Sequence, residues 1–424
     1  MTTQDASARR PELDAIRTLV VIGLVFFHSA LVFDTRDDYY VKNAETTQAT
    51  TAVAGLAVVW AMPMLFLIAG LGACHSLRRR GAAGFTRERL LRLGLPLVVA
   101  TVLLIPLPVW LRERAADPAY DQSYADFLPR FFDVRWEWSD APFVLEGEYF
   151  ETGHLWFVVL LLAFSLLLAG LALLAKGDVR PTLGALVRRR GAILLIPAVP
   201  LTLICAFVGL EESFAGWSRW AYLLFFLYGF GLAADERIRT AMRRDAVPAA
   251  MLGLALFLTG LPLFLLAGEA EDGDPFTDMT GLAIGGRALY GAAGWCLLVA
   301  ILGLLDRRAA RRAPRPADRS PGRGLRLYGY LAAGVLPLYV LHQPIVVAVA
   351  YGVVGWEAPM LLKYLVIAFG SLGLTIAAYE LLVRRTRATR LLFGVREPSR
   401  ETYTPSHRSG PKVVDSRGGD AAGQ

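Results

Sequence analysis

The sequence predicts an all-α, polytopic membrane protein of about ten transmembrane helices, with the N- and C-termini in the cytoplasm. Of its 424 residues, 55% are hydrophobic and only 19% are charged, against ~25% charged in soluble domains. The charged residues fall in short runs between long apolar stretches, and a span needs about 20 mostly apolar residues. The predicted spans are 14–33, 51–75, 93–111, 154–175, 191–210, 218–235, 247–268, 281–305, 328–352 and 360–383.

The distribution of charge predicts the orientation of these spans. With the N-terminus inside, 35 of the 44 Lys and Arg residues lie on the cytoplasmic side, which is what the positive-inside rule requires. The loop after the seventh span has five carboxylates and no basic residue: Glu269, Glu271, Asp272, Asp274 and Asp278. An even number of spans with both ends inside fits these charges.

The predicted domain organisation is a cytosolic segment over 1–13, a membrane domain over 14–383 and a basic cytosolic tail over 384–424. The tail lacks apolar periodicity, so we expect it to be disordered. Within the membrane domain, 112–152 is too aromatic for a disordered loop and should be ordered over the outer mouth. The stretch 306–327 contains three prolines and should be a flexible cytosolic linker.

Composition also argues against two classes of partner. The net charge is +7, but the basic residues lie between apolar spans without interleaved aromatics or zinc-ligand spacing, so we expect no nucleic acid. The three cysteines, Cys74, Cys205 and Cys296, each lie within an apolar stretch. We therefore expect no disulfide framework and no metal site.

The first span carries three ionisable residues on one stripe. Arg17 and His28 are eleven residues apart, which is three helical turns plus roughly 20° and an axial separation of ~16 Å. Asp14 lies three residues before Arg17 and should pair with it. Ionisable groups at membrane depth are costly and usually functional. A structural role, in which His28 hydrogen-bonds a neighbouring helix, stays an equal alternative at this point.

Two further groups of polar residues lie in or beside the spans. Arg89 and Arg92 are three residues apart, which places them on one helical face, where they could clamp phosphates, although positive-inside anchoring also explains them. His154 and Trp156 begin the fourth span, where an interfacial aromatic belt is the simpler explanation of the tryptophan. Arg287 lies near a helix end and should snorkel to the surface.

The ninth span contains Tyr339, His342 and Gln343 between two prolines. Polar side chains and broken helical hydrogen bonds at membrane depth need protein partners or water. We therefore expect these residues to line a cavity.

The chain resembles the acyltransferase 3 family of bacterial integral membrane O-acyltransferases over nearly all of 12–383. The resemblance rests on the Arg89 and Arg92 pair before Pro96 and on four motifs: LDAIRTLVVIGLVFFHS, MPMLFLIAG, GHLWFVVLLL and LPLYVLHQP. The stretch FDTRDDYYVKN is most similar to the glucan-biosynthesis branch.

The resemblance implies a multi-pass enzyme of the bacterial plasma membrane that needs no bound cofactor. It would move an acyl group, acetyl first and succinyl second, from cytosolic acyl-CoA to a hydroxyl of an extracytoplasmic carbohydrate or glycoside. The family pattern places catalysis on His28 and Arg17 and donor binding on Arg89 and Arg92. Pro96 stands one position farther along than the family pattern, which leaves the register of the arginines open.

These considerations lead to one hypothesis and two rivals. In the hypothesis, His28 is the general base, Arg17 orients the donor, and Arg89 and Arg92 bind the CoA phosphates with Asp14 beside them. The candidates for the acceptor side are His154, Trp156, Tyr339, His342 and Gln343. The first rival is a transporter or exporter of an envelope glycan precursor, although no inverted repeat is visible. The second is a scaffold without catalysis.

Overall fold

The computed structural model describes residues 11–36, 38–174, 187–269, 273–311 and 329–395. Within these ranges the chain is mainly helical, and the two named strands, β1 (Arg135–Trp136) and β2 (Leu145–Glu146), form one antiparallel hairpin. The predicted all-α fold is confirmed. The first ten residues, most of the predicted linker and residues 396–424 of the predicted tail lie outside the described residues.

Helices account for most of the described residues. In chain order they are α1 (Pro11–Leu31), α2 (Ala49–Val58), α3 (Ala61–Arg89), α4 (Leu95–Leu103), α5 (Pro106–Ala116), α6 (Tyr124–Phe131), α7 (Trp156–Leu174), α8 (Ala192–Leu203), α9 (Arg219–Ala234), α10 (Glu236–Ala267), α11 (Gly281–Arg311), α12 (Val335–Val353), α13 (Met360–Ala378) and α14 (Arg387–Leu392). Short π-turns extend three of them at Leu90–Gly94, Ile204–Val208 and Tyr379–Val383, and 3-10 turns occur at Gly153–Leu155 and Glu212–Phe214.

Seven helical segments of the described chain are long and apolar enough to cross a bilayer. They are Glu12–Leu31, Val53–Ala116, Gly153–Leu174, Glu236–Ala267, Gly281–Arg311, Val335–Val353 and Met360–Val383. Two predicted spans lie in the single segment of 64 residues, another corresponds to the shorter apolar helix Ala192–Val208, and another is α9, with 16 residues. The protein is therefore a multi-pass membrane protein, while the count of ten spans stays a prediction.

The connections gather at two ends of the helical bundle. We call the end at which α1 reaches Leu31 the outer side, following the predicted orientation, and the opposite end the inner side. At the outer side, Arg219 lies 2.7 Å from carboxylate oxygens of both Asp140 and Glu211. At the inner side, Arg239 contacts Asp306 at 3.0 Å. Ion pairs thus join the start of α9 to two connections at the outer side and α10 to α11 at the inner side.

Two segments that the sequence predicted to lack structure are helical near their N-terminal ends. α11 continues to Arg311, into the stretch predicted as a linker. α14 lies within the stretch predicted as a disordered tail, and the hydroxyl of Thr386 caps it by accepting from the amide of Thr389 at 3.0 Å. α14 packs against the inner end of α4, so contacts with the membrane domain order a segment that has no apolar periodicity of its own.

Arg287 is fully buried, at 0% exposure, and does not snorkel. Its guanidinium donates to the carbonyls of Cys205 and Ala206 at 3.1 and 3.0 Å and to those of Pro275 and Asp278 at 3.1 and 2.7 Å. The first two carbonyls belong to the π-turn after α8, and the last two belong to the outer loop before α11. One cation therefore fastens that loop to the end of α8.

α3 and α9 cross with their backbones in contact. A Cβ atom on Gly70 would lie 1.8 Å from the carbonyl oxygen of Phe226, and one on Gly229 would lie 1.8 Å from that of Leu67. Small residues allow membrane helices to approach this closely. Because lipid tails are as apolar as the helix surfaces, packing contacts and not the hydrophobic effect hold such helices together. Only glycine fits at these two positions.

Gly70→Ala should destabilise the folded protein by roughly 1–3 kcal/mol, because the added methyl group forces the two helices apart. Gly72→Ala is the matched control, since its Cβ atom would meet nothing within 4 Å and alanine has the higher helix propensity. The measurement is the thermal unfolding midpoint of each variant in the same detergent. Equal midpoints for the two variants would contradict the close crossing.

Candidate active site

Three histidines from distant parts of the chain meet near the outer side of the bundle. His28 lies in the last turns of α1, His154 in the 3-10 turn before α7, and His342 in the middle of α12. The ring centroids of His28 and His342 are 5.1 Å apart, and those of His342 and His154 are also 5.1 Å apart. His154 and His342 are buried, whereas His28 is partly exposed. The sequence flagged all three residues, and the structure brings them into one row.

A proline in α12 explains why His154 docks there. Pro344 has no amide hydrogen, so the carbonyl of Val340, four residues earlier, loses its helical donor. His154 Nε2 lies 3.1 Å from that carbonyl oxygen. A carbonyl only accepts, so Nε2 of His154 carries the hydrogen. The histidine side chain thus satisfies a backbone group that lipid could not satisfy.

The hydrogen bonds of Tyr339 and His342 complete the row. The hydroxyl of Tyr339 donates to the carbonyl of His154, and His342 Nδ1 donates to the carbonyl of Tyr339. His342 is therefore the Nδ1–H tautomer, whose Nε2 is a lone-pair acceptor. Within the described ranges, neither His342 Nε2 nor His28 Nδ1 has a hydrogen-bond partner. The row therefore contains two buried imidazole nitrogens without a hydrogen-bond partner among the described residues.

The segment between α1 and α2 forms the outer wall of the site. The ring of Tyr39 stacks on that of His28, with 5.8 Å between the centroids. The hydroxyl of Tyr40 donates to Glu151, and Arg112 Nη1 lies 3.0 Å from the other oxygen of that carboxylate. Burial and the Glu151 carboxylate hold the pKa of Tyr40 well above its usual range, so this hydroxyl keeps its proton.

Two lysines hold the outer wall against the neighbouring helices through hydrogen bonds. Lys363, buried in α13, donates to Asn43 Oδ1 at 3.1 Å and to the carbonyl of Val354 at 2.8 Å. Lys42 donates to the carbonyl of Leu31 at the end of α1, at 2.9 Å. These contacts were not predicted from the sequence. Lys363 could have indicated them, because a lysine inside the apolar stretch of the last span needs a buried partner.

Trp156 and Gln343 occupy different places from the histidine row. The indole of Trp156 lies 5.4 Å from the rings of both Phe214 and Tyr222, so it belongs to an aromatic cluster inside the bundle and not to an interfacial belt. Gln343 is buried in α12 beside His342. Its Oε1 has no hydrogen-bond partner among the residues that the structure describes.

The first-span arginine lies apart from the row. α1 runs without a break from Pro11 to Leu31, so Arg17 and His28 are about 16 Å apart along the axis. Arg17 Nη1 lies 3.7 Å from Asp14 Oδ1, as the spacing predicted. Arg17 belongs to the inner half of α1 and His28 to the outer half.

A basic cavity of about 480 Å³ opens at the inner side, between the ends of α3 and α14. Arg80, Arg87 and Arg92 line it together with Glu88. The Glu88 carboxylate lies 3.0 Å from Arg80 Nη1 and 3.4 Å from Arg92 Nη1. Three guanidinium groups against one carboxylate leave the lining positively charged, which suits an anionic ligand.

Arg89 and Arg92 do not face this cavity together. Arg92 lines it, whereas the guanidinium of Arg89 lies over the ring of Phe85, 4.8 Å from its centroid. The π-turn Leu90–Gly94 begins directly after Arg89. Its wider winding changes the angle between the two side chains, and the sequence, which assumed regular α-helix, placed them on one face.

The described residues contain no group of three or more His, Cys, Asp or Glu side chains that could hold a metal ion. None of the three imidazoles hydrogen-bonds to a carboxylate within the same ranges. An imidazole whose other nitrogen is fixed by a backbone carbonyl, as in His154 and His342, can accept or donate a proton.

Comparison with known proteins identifies the family. Residues 10–380 match the acyltransferase 3 family, described as an acyltransferase domain. No curated protein and no solved structure gives a significant match. The match covers the histidine row, the outer wall and most of the basic cavity's lining, and the chain belongs to the acyltransferase 3 family of membrane acyltransferases.

Proposed function

We propose that this enzyme transfers an acetyl or succinyl group from cytosolic acyl-CoA to a hydroxyl of an extracytoplasmic carbohydrate or glycoside, in a bacterial plasma membrane. The observation that carries the proposal is the row of His28, His342 and His154 near the outer side, with a basic cavity at the inner side. Donor and acceptor would approach the same helix, α1, from opposite faces of the bilayer.

The inner cavity would hold the phosphates of the donor. Guanidinium groups bind phosphate through charge-assisted, often bidentate hydrogen bonds, and Arg80 and Arg92 are already held in place by Glu88. A phosphate-rich head cannot enter the bilayer, so only the acyl-bearing arm would extend along α1, past Arg17, toward His28. Arg17 would orient that arm, with Asp14 fixing its guanidinium.

The transfer step needs one proton acceptor at the outer end of the arm. His28 would take the proton of the acceptor hydroxyl while the oxygen of that hydroxyl bonds to the thioester carbonyl carbon. The carbon–sulfur bond then breaks, and the CoA thiolate leaves with the proton from the His28 imidazolium. No external oxidant, reductant or metal enters this balance. His28 is partly exposed as a residue, and its Nδ1 has no hydrogen-bond partner among the described residues, so this nitrogen would be the one to take the proton.

His342 and His154 would position this base. His342 lies directly against His28, and His154 holds α12 in place through the Val340 carbonyl. The ring of Tyr39 stacks on that of His28. Contacts with these two neighbours would restrict the orientations that the His28 ring can take.

His28→Ala should lower the hydrolysis of radiolabelled acetyl-CoA or succinyl-CoA by purified protein about 10²–10⁴-fold, the usual contribution of a general base. His75→Ala is the matched control, because His75 is exposed in α3 and its Nδ1 lies 2.9 Å from its own helix at the carbonyl of Leu71. Among neutral glycans and glycosides added to the wild type, the acceptor that the enzyme uses should take label from the donor that is turned over. A folded wild type that turns over neither donor would overturn the proposed function.

His342→Asn should lower kcat more than it changes KM and should alter the pH profile of kcat, because the neighbour of the base changes. His154→Asn should instead destabilise the protein by about 1–3 kcal/mol, since the buried Val340 carbonyl loses its donor. Steady-state kinetics across pH, with thermal unfolding of both variants, separates the two roles. Parallel losses of stability and unchanged pH profiles in both variants would show that the two residues are structural only.

Arg92→Gln should raise the KM for acyl-CoA roughly tenfold, as expected for the loss of one charged hydrogen-bonding group, with a smaller change in kcat. Arg78→Gln is the control, because Arg78 is exposed on α3 and does not line the basic cavity. Steady-state kinetics with varied donor makes the comparison. Equal KM values for the two variants would place the donor elsewhere.

A further inference from the structure

A second cavity lies at the outer side, between α1, α2, α10 and α11. Its volume is about 250 Å³, larger than the ~150 Å³ apolar cavity that is known to hold benzene. Most of its lining is apolar, and the residues that shape it include Phe27, Leu31, Phe257, Leu261, Phe264 and Phe276. A cavity of this size and lining suits an aliphatic chain or a ring without polar groups.

The walls of this apolar cavity are fixed before any ligand binds. Arg287 holds the outer loop through the carbonyls of Pro275 and Asp278, as described above. The amide of Leu210 donates to the carbonyl of Phe276 at 2.9 Å. Because these hydrogen bonds already order the loops, a ligand would lose little of its binding free energy in ordering them.

One polar atom in the lining has no partner. The hydroxyl of Tyr290 lies 3.9 Å from the position that a Cβ atom would take on Gly216, and both residues line the cavity. Among the described residues this buried hydroxyl has no hydrogen-bond partner. Since a buried hydroxyl left unpaired is costly, an oxygen of a bound ligand is a fitting acceptor.

The apolar cavity and the candidate active site lie at successive residues of the same helix, α1. Phe27 lines the cavity, and its ring centroid is 5.3 Å from that of His28, although successive side chains on a helix project about 100° apart. Arg36 and Glu212, both exposed, lie among its lining residues and give it a charged, hydrophilic rim. An amphipathic molecule would thus have its polar head at the rim and its apolar part inside, beside the outer end of α1.

We propose that this apolar cavity binds the alkyl chain of an amphipathic acceptor that resides in the outer leaflet. The head group, bearing the hydroxyl to be acylated, would lie outside the cavity and extend along α1 to His28, and an ester or glycosidic oxygen would accept from Tyr290. The binding site rests on the cavity's own geometry, and its assignment to the acceptor rests on the proposed function. The acceptor class is therefore a glycoside with an aliphatic chain.

Two other occupants fit less well. A free oligosaccharide would leave most of its hydroxyls without partners against an apolar lining. The chain of a long acyl donor would have to pass the histidine row from the inner side, where the basic cavity would hold its phosphates. Only a chain that enters from the outer side leaves its head group at the charged rim.

The test is photolabelling of the full chain in phosphatidylcholine nanodiscs with a dodecyl glucoside that carries a diazirine in its chain. Labelled peptides should contain the cavity residues of α10 and the loop around Phe276, and excess unlabelled dodecyl glucoside should compete. Gly55→Leu should lower this labelling about tenfold by filling the cavity, since a Cβ atom on Gly55 meets nothing within 4 Å. Tyr290→Phe should weaken competition by dodecyl glucoside about fivefold through loss of one hydrogen bond.

Gly352→Leu is the matched control, because Gly352 is an exposed helical glycine near the outer end of α12 with nothing within 4 Å of its Cβ position. It should leave labelling unchanged. Labelling that is spread evenly over lipid-facing helices, or that survives in Gly55→Leu, would overturn the proposal. Stronger competition by palmitoyl-CoA than by dodecyl glucoside would overturn the assignment to the acceptor.

Hydrolysis of acetyl-CoA without acceptor, measured on the same samples, separates this inference from the proposed function. Gly55→Leu should keep that activity, because the apolar cavity does not hold the donor. Normal hydrolysis without cavity labelling would mean that the inference is wrong and the function stands. Cavity labelling in a wild type that turns over no donor would mean that the site binds amphiphiles but serves no transfer.

Discussion

The carbonyl of Val340 is the group on which the site most depends. Inside a bilayer every polar backbone group needs a protein partner, and Pro344 removes the one that a regular helix would supply. His154 takes its place, which ties the start of α7 to the middle of α12. The same bond fixes the tautomer of His154 and brings His342 against it. The amide hydrogen that Pro344 lacks thus explains why His154 and His342, two of the three histidines of the row, lie together.

The inner and outer sides of the bundle provide different electrostatic environments. At the inner side, three guanidinium groups line a cavity beside one carboxylate, an environment for a polyanion. At the outer side, neutral imidazoles and aromatic rings lie beside His28, an environment for proton transfer to and from a neutral hydroxyl. His28 lies on α1, a continuous helix of 21 residues that runs from the inner side to the outer side. This separation matches a reaction whose donor and acceptor come from opposite sides of a membrane.

Much of this could be predicted from individual residues. His28, His154 and His342 were identified because ionisable groups at membrane depth are expensive, and Pro344 indicated a break in helical hydrogen bonding. The sequence missed the wall formed by Tyr39, Tyr40 and Glu151, whose residue types are ordinary in an outer loop. The sequence also placed Arg89 and Arg92 on one helical face, because no residue pattern marks the π-turn that lies between them.

The sequence by itself determined the membrane class, the helical fold and the residues that are too polar for their surroundings, because apolar length and the cost of buried charge are local properties. Only the tertiary structure decided which of those residues meet. His28 and His342 lie far apart in the chain, and their 5.1 Å approach depends on how α1 and α12 rotate and cross. Those angles follow from packing between whole helices, such as the close crossing at Gly70, and no local pattern encodes them.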